Sequence, residues 1–329
     1  MQNFPLVSFI IPCWNAEKFI PRLMDSLLSQ TYPNMEIIVI DDGSTDRSVE
    51  IIETYIPKFS KRNNKLVLIK QNHCGQSYAM NKGLKVFSGE YLVWPDTDDF
   101  YSSKDSIEKM VKVLENAPSD VSMVRTFSDK LDELNLEKVG ENRICTKNLG
   151  PKDVFRDCLF KTNGFYYTPG QYMARASVFV DRIPDKHIFE GKYSGQNWQM
   201  MLPVLYKKKC ITIPEFLYSV LIRKNSSARW AYKNFETAVQ KNEIRRQGII
   251  YTLNQIKDIS SNERRKLIAE IDNKYDFIHI KTCIRFEKCD ELRAFLRKKK
   301  SFRNSIILLL TYIPFFFTFV NFLFGKRKK

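Results

Sequence analysis

Residues 7–46 read VSFIIPCWNAEKFIPRLMDSLLSQTYPNMEIIVIDDGSTD, and the changes of pattern within them decide the fold class. Val7–Pro12 is a continuous apolar run closed by proline, which suits a strand covered on both faces. Cys13, Trp14 and Asn15 make a turn. From Ala16 the apolar residues follow a helical period: Phe19, Leu23 and Leu27, with Ile20, Met24 and Leu28 widening the stripe. Pro33-Asn34 stops that helix. Met35–Ile40 is a second apolar strand. It runs into the polar loop Asp41–Asp46, where Ser44 or Thr45 is expected to cap the helix carrying Val49, Ile52 and Ile56.

The pattern then repeats. A basic linker, Lys58–Lys65, precedes a strand at Leu66–Ile69, a loop at Asn72–Ser77 and a short helix at Tyr78–Phe87. Glu90–Pro95 reads as a fourth buried strand that delivers the acidic run Asp96-Thr97-Asp98-Asp99. Alternating strands and helices imply βαβ units and a parallel sheet with helices on both faces. Ligands of such sheets gather at the carboxyl ends of the strands. Four polar loops meet there: Pro12–Asn15, Asp41–Ser44, Gln71–Gln76 and Pro95–Asp99. Neither a GxGxxG after the first strand nor a Walker A sequence is present, which disfavours dinucleotide and P-loop sites. The acidic run has two readings. Asp is common in turns and helix caps; equally, three clustered carboxylates repel one another until a cation joins them, and hard divalent cations take oxygen ligands.

Further along, Ser106–Leu114 is an amphipathic helix and Val121–Phe127 a strand. Residues 128–148 form a loop or hairpin, Lys209–Tyr218 a late strand, and 230–297 a charged helical stretch. The chain carries 53 Lys and Arg against 37 Asp and Glu, a net +16, so an anionic partner is expected. Basic residues flank the apolar stretch Ile306–Phe324: Arg297–Lys300 and Arg303 before it, Lys326–Lys329 after it. Nineteen residues would span about 28 Å as a helix, the scale of a hydrocarbon core. The expected partner is therefore an anionic membrane surface, not nucleic acid, with the tail lying in or dipping into the leaflet. Pro314 would allow a re-entrant bend. The seven cysteines are scattered without a CxxC, which suits a reducing compartment. Met1–Pro5 leads directly into a strand, so no signal peptide is expected. The histidines His73, His187 and His279 are spread along the chain and are assigned ordinary packing or surface positions, with His73, in one of the rim loops, also placed to touch a ligand bound there.

The stretches VSFIIPCWNAEKFIPRLMDSLLSQTYPNMEIIVIDDGSTDRS and QNHCGQSYAMNKGLKVFSGEYLVWPDTDD resemble the family 2 nucleotide-diphosphate-sugar glycosyltransferases. The likeness is close over residues 6–100 and looser over 101–225. It implies a GT-A fold: a Rossmann-like mixed α/β sheet with helices on both faces, followed here by a helical region and an apolar tail. The corresponding boundaries are 1–228 for the catalytic domain, 229–303 for the charged helical region and 304–329 for the tail. The resemblance places Pro12, Trp14 and Asn15 in the nucleotide pocket and makes Asp42 the acceptor of a hydrogen bond from a uracil ring. It sets Asn72, in the Asn72–Gln76 loop, beside base and ribose. Asp96, Asp98 and Asp99 match the DxD motif, in which Mn²⁺ or Mg²⁺ bridges carboxylate and diphosphate, with Asp98 at the chemistry. An inverting displacement at the anomeric carbon is implied.

Inversion calls for a base near residue 197, where the family carries Glu-Asp before an aromatic residue. Here the frame reads Gly195-Gln196-Asn197-Trp198, and an amide cannot take that proton. Glu190 is the favoured substitute, with Asp185 as another. Gln196, Asn197 and Trp198 would then bind the acceptor, and Arg223, in the Arg223–Ser227 segment, would neutralise phosphate. The processive QxxRW signature is absent, since Ala228-Arg229-Trp230 lacks its Gln, which argues for one sugar per encounter. The expected protein is a metal-dependent transferase at the cytoplasmic face of the membrane. It uses a nucleotide-sugar donor and a saccharide or lipid-linked acceptor in surface-polysaccharide synthesis. A catalytically silent sugar-nucleotide-binding or scaffold protein is the alternative; a nucleotidyltransferase is disfavoured because the first loop is neither Gly-rich nor basic.

Overall fold

The computed structural model describes residues 4–143, 149–223, 233–299 and 311. Strands β1 (Val7–Cys13), β2 (Met35–Asp41), β3 (Lys65–Lys70) and β4 (Tyr91–Val93) lie in the order β3-β2-β1-β4, all parallel. Their apolar runs are continuous because both faces are covered. Val7, Phe9 and Ile11 point to one face with Ile37 and Val39. There they meet Ile20, Leu23 and Leu27 of helix α1 (Ile20–Leu28) and Ile52 and Phe59 of α2 (Ser48–Ser60). Ile10 and Ile40 point the other way, against Gly83 of α3 (Gln76–Val86). Each such aliphatic side chain, fully buried, contributes about 1.5–3 kcal/mol.

Beyond the acidic run come β5 (Phe100–Tyr101), α4 (Ser106–Glu115), β6 (Val121–Asp132) and β7 (Lys138–Asn142). They are followed by α5 (Phe155–Phe160), β8 (Tyr172–Arg175), α6 (Ala176–Arg182), α7 (Gln196–Leu205) and β9 (Lys209–Ile222). The sheet continues β4-β8-β6-β9-β5 and becomes mixed: β8 is antiparallel to β4 and β6, β6 is parallel to β9, and β5 is antiparallel to β9. The 128–148 segment supplies the end of β6 and its hairpin partner β7. Both β6 and β9 run past their expected ends because they pair with each other as far as Asp132 and Ile222.

Two local expectations change for one reason. The first helix starts at Ile20, not Ala16, and neither Ser44 nor Thr45 caps the second. The free amides at 15–17 are satisfied across the chain: Asn15 N–H donates to Ser44 Oγ (2.9 Å), Ala16 N–H to Ser48 Oγ (2.7 Å) and Glu17 N–H to Asp46 Oδ2 (3.0 Å). Asp46 Oδ1 receives the Ser48 N–H at 3.0 Å in the capping role. Stitching the two loops takes the hydroxyls that local capping would have used.

The chain divides into two compact units, residues 1–224 with 247–264, and residues 225–246 with 265–329. The charged helical stretch expected from 229 onward is thus shared. Its helices are α8 (Phe235–Gln255), α9 (Ser261–Arg285) and α10 (Cys289–Lys298). Residues 247–264 belong to the first unit, where Arg182 pairs with Asp258 at 3.1 Å. The second unit has its own small core of Ile280, Cys283, Ile284, Leu292 and Leu296. Apart from Thr311, the apolar tail lies outside the described residues. Among the described residues no helix is long and apolar enough to cross a membrane.

Candidate active site

β1 and β2 end level, Cys13 opposite Asp41, so the loops after them leave the sheet side by side. Asn15 has a positive φ of 47° and accepts the Thr45 N–H on its Oδ1 at 2.8 Å. Its side chain therefore holds the second loop to the first. Pro12 is partly buried within β1, while Trp14 projects from the rim, 53% exposed. The Trp14 ring stacks on His73 with centroids 4.5 Å apart and planes 25° from parallel. Asn72, next to it, is exposed.

Asp42 is only 3% exposed, and protein donors surround it. Oδ1 accepts from Gln71 Nε2 (2.6 Å) and the Cys74 N–H (2.9 Å). Oδ2 accepts the Gly75 N–H (2.8 Å) and faces His73 Nδ1 at 2.9 Å. A carboxylate has about four lone-pair sites, and here each faces a donor. His73 Nδ1 also lies 3.1 Å from the Asp42 carbonyl oxygen; both neighbours are acceptors, so Nδ1 carries the proton. In this arrangement Asp42 anchors the third loop. Gly43 makes the close approach possible: with φ at 73°, a Cβ there would sit 2.8 Å from the His73 backbone nitrogen.

The acidic run reaches the same rim. Carboxylate oxygens of Asp96, Asp98 and Asp99 all lie within 4.8 Å of one another. They are held from distant parts of the chain. Asp96 Oδ1 accepts from Gln76 Nε2 at the start of α3 (3.0 Å) and from Gln196 Nε2 at the start of α7 (3.3 Å). Asp98 pairs with Arg223 Nε at 2.6 Å, just past β9. Asp99, 4% exposed, accepts the Leu221 N–H of β9 at 3.1 Å. Burial and the charge of Asp98 push Asp96 up to about 7, and the same causes hold Asp99 well above the usual carboxylate range. Three convergent carboxylates, two of them reluctant to ionise alone, fit a hard divalent cation, whose charge would relieve both causes. This geometry is not that of a simple turn.

The residues expected on the acceptor side lie at the start of α7. Gln196 is 3% exposed; its amide nitrogen faces Asp96 and its carbonyl oxygen is buried without a donor. Asn197 Nδ2 donates to the Tyr167 carbonyl at 3.0 Å, leaving its Oδ1 in the same condition. Trp198 lies against Tyr167, ring centroids 4.6 Å apart. Glu190 Oε1 accepts from Asn81 Nδ2 (2.9 Å) and lies 3.3 Å from His187 Nε2. Asn81 lies five residues beyond Gln76 on α3, while Gly191, next to Glu190, donates its N–H to Ser77 Oγ at 3.1 Å, beside Gln76. The Asp185 carbonyl receives Lys85 on the last turn of α3. The structure thus brings Asp96, Asp98, Asp99, Gln196 and Arg223 together, and it bonds Glu190 to Asn81 and the Asp185 carbonyl to Lys85. Gln76 and Tyr167 enter the site without having been singled out. The signal for Gln76 was present, as a polar residue straight after the Gly75 turn.

Residues 8–181 match the model of the family described as Glycosyl transferase family 2. The chain belongs to glycosyl transferase family 2. GlyG, a glycosyltransferase of Streptococcus pneumoniae serotype 4, is 35% identical over 229 residues, covering 68% of this chain and 73% of that protein. GlyA of the same organism is 28% identical over 239 residues, 69% of this chain, but the match spans only 32% of GlyA. Among solved structures, S. aureus TarS 1–349 in complex with UDP-GlcNAc superimposes with a TM-score of 0.65 at 20% identity, covering 88% of this chain and 80% of that one. That last likeness is one of fold, and it supports the GT-A architecture. This family 2 glycosyltransferase, related to surface-polymer enzymes, carries the amides Gln196 and Asn197 where the family likeness leads to an expectation of Glu-Asp.

Proposed function

We propose that this family 2 transferase moves a sugar from a nucleotide-diphosphate donor, a UDP-sugar, to a saccharide or lipid-linked acceptor with inversion. The setting is surface-polysaccharide synthesis at the cytoplasmic face of the membrane. The observation that carries the reading is the meeting of three carboxylates within 4.8 Å on the rim that also holds the Trp14–His73 stack. The exposed Trp14 offers a ring face to a base, and Asp42 holds the loop bearing His73. Asp96, Asp98 and Asp99 would hold Mn²⁺ or Mg²⁺, which when bound supplies charge neutralisation for a departing diphosphate. Arg223, beside Asp98, brings a fixed positive charge to the same place. TarS, a poly(ribitol-phosphate) β-N-acetylglucosaminyltransferase solved with UDP-GlcNAc, supports the choice of donor class and of a surface polymer. The basic residues around 306–324 support an anionic membrane as partner.

Nucleoside diphosphate release from a panel of donors, with Mn²⁺ or with chelator, tests this. Turnover that needs the cation and is lost in Asp98→Ala is expected. Donor binding without turnover under any condition favours the second reading, a catalytically silent sugar-nucleotide-binding protein, which Gln196-Asn197 motivates.

A further inference from the structure

Strands β5 and β9 pair antiparallel, with Tyr101 opposite Tyr218 and Phe100 opposite Ser219. Residues directly opposite point to one face, and so do residues two apart on a strand. Burial follows that alternation: Asp99 and Tyr101 are each 4% exposed and Tyr218 is fully buried, while Phe100 is only half-buried. Asp99 and Tyr218 are therefore diagonal neighbours across the pair, a separation of about 7–8 Å that an aromatic side chain can bridge.

The two tyrosines lie side by side, ring centroids 5.1 Å apart, and both reach Gly170 in the turn Pro169–Gln171 before β8. The Tyr101 hydroxyl donates to the Gly170 carbonyl at 3.1 Å. The Tyr218 ring end fills the space where Gly170 would carry a Cβ, and its hydroxyl meets no hydrogen-bond partner among the described residues. A buried hydroxyl without a partner costs stability that phenylalanine would not. Burial, then Asp99 with Tyr101, Asp96 and Asp98 behind it, holds that hydroxyl well above the usual phenol range, so the acidic cluster lies close to it.

Carboxylates that ligate a cation are themselves held by outer hydrogen bonds, which fix their orientation. In the cluster, Gln76 and Gln196 hold Asp96, Arg223 holds Asp98, and the Leu221 N–H holds one oxygen of Asp99. We propose that Tyr218 is a positioning residue for the cation site: its hydroxyl donates to Asp99 when a divalent cation joins the three carboxylates. The cation-free chain carries the cost of an unpaired hydroxyl, and the loaded chain recovers it. The proposal rests on the cation-dependent reading above and adds to it a residue from outside the acidic run.

Tyr218→Phe removes the hydroxyl and keeps the ring. In the full chain in detergent with chelator, its thermal midpoint should rise by about 2–4 °C. Its Mn²⁺ affinity, read from the EPR signal of free Mn²⁺ with UDP present and a protein-free control, should fall about 10–100-fold. A tyrosine that merely packs does not give those opposite signs. Tyr101→Phe, which removes a hydroxyl that is already bonded, should lower the midpoint and leave the Mn²⁺ affinity unchanged. A lowered midpoint in Tyr218→Phe means that its hydroxyl already has a partner, and overturns the proposal. Unchanged Mn²⁺ affinity in Tyr218→Phe, or an equal loss in both variants, overturns it too. Each of these results leaves the cation reading standing. Absence of protein-bound Mn²⁺ in the wild-type chain, with or without UDP, overturns both.

Discussion

Asp42→Asn keeps the size of the side chain and removes its charge. In the wild-type chain four donors converge on that carboxylate: Gln71 and Cys74 on one oxygen, Gly75 and His73 on the other. An asparagine can keep one pair; its NH₂ then confronts the donors of the other. Two charge-assisted hydrogen bonds at about 1.5–3 kcal/mol each are lost, a gross cost of about 3–6 kcal/mol. His73 is exposed and Gln71 half-buried, so water recovers part of it and about 2–3 kcal/mol remains. Urea unfolding should show that loss. Amide exchange should accelerate at Cys74 and Gly75, whose N–H groups are the released donors, and donor affinity should fall because the loop carries His73. If stability stays within about 0.5 kcal/mol and exchange at those amides is unchanged, the carboxylate is not anchoring the loop. A remaining loss of donor affinity would then mark it as a direct ligand of the base.

Glu36 lies at the opposite end of the strands, 5% exposed, where it accepts from Ser8 Oγ, the Ser88 N–H (2.6 Å) and the Gly89 N–H (3.2 Å). Glu36→Ala should cost about 2–4 kcal/mol in unfolding experiments, with the donor KM unchanged because the network is remote from the rim. Gly195→Ala meets both a positive φ of 70° and the Trp198 ring 2.9 Å from its new Cβ. A loss of about 1–3 kcal/mol is expected, together with a rise in acceptor KM larger than any change in donor KM. For pH, Asp96 and Asp99 stand above the ordinary carboxylate value, so between about pH 4 and pH 7 the folded, cation-free chain holds protons that the unfolded chain has released. Their contribution to stability therefore falls as pH rises through that window. With chelator present, the thermal midpoint of wild type relative to Asp96→Asn should decline from pH 5 to pH 7.5, and Mn²⁺ should restore it; a relative midpoint that climbs instead contradicts the assignment.

Much of this site was legible before any coordinates. The strands Val7–Cys13 and Met35–Asp41 read correctly because burial on both faces leaves a local mark, a run with no polar alternation. The acidic cluster was visible as composition, and its place at a strand end followed from the βαβ rhythm. What was misread depends on partners far away in the chain. Ser44 was a plausible cap until Asn15 claimed its hydroxyl. The partner of Glu190, the Asn81 amide more than a hundred residues earlier, could not be read from its neighbours in sequence. His73 was legible as a residue of a rim loop, but nothing adjacent to it in sequence shows that Trp14 will stack on it.

The sequence by itself determined the alternation of strand and helix, the family, the oxygen-rich chemistry of Asp96–Asp99 and the lack of a carboxylate at 196–197. These are properties of residue type and short-range period, which need no partner to express. Only the tertiary structure decided which carboxylates act together and which do not. Gln76, Gln196 and the Leu221–Arg223 stretch reach the acidic cluster from three separate places in the chain. Asp42, identical in type to its neighbours, is turned by four donors into an anchor. A carboxylate's role is set by what surrounds it within a few ångströms, and long-range folding alone brings those surroundings together.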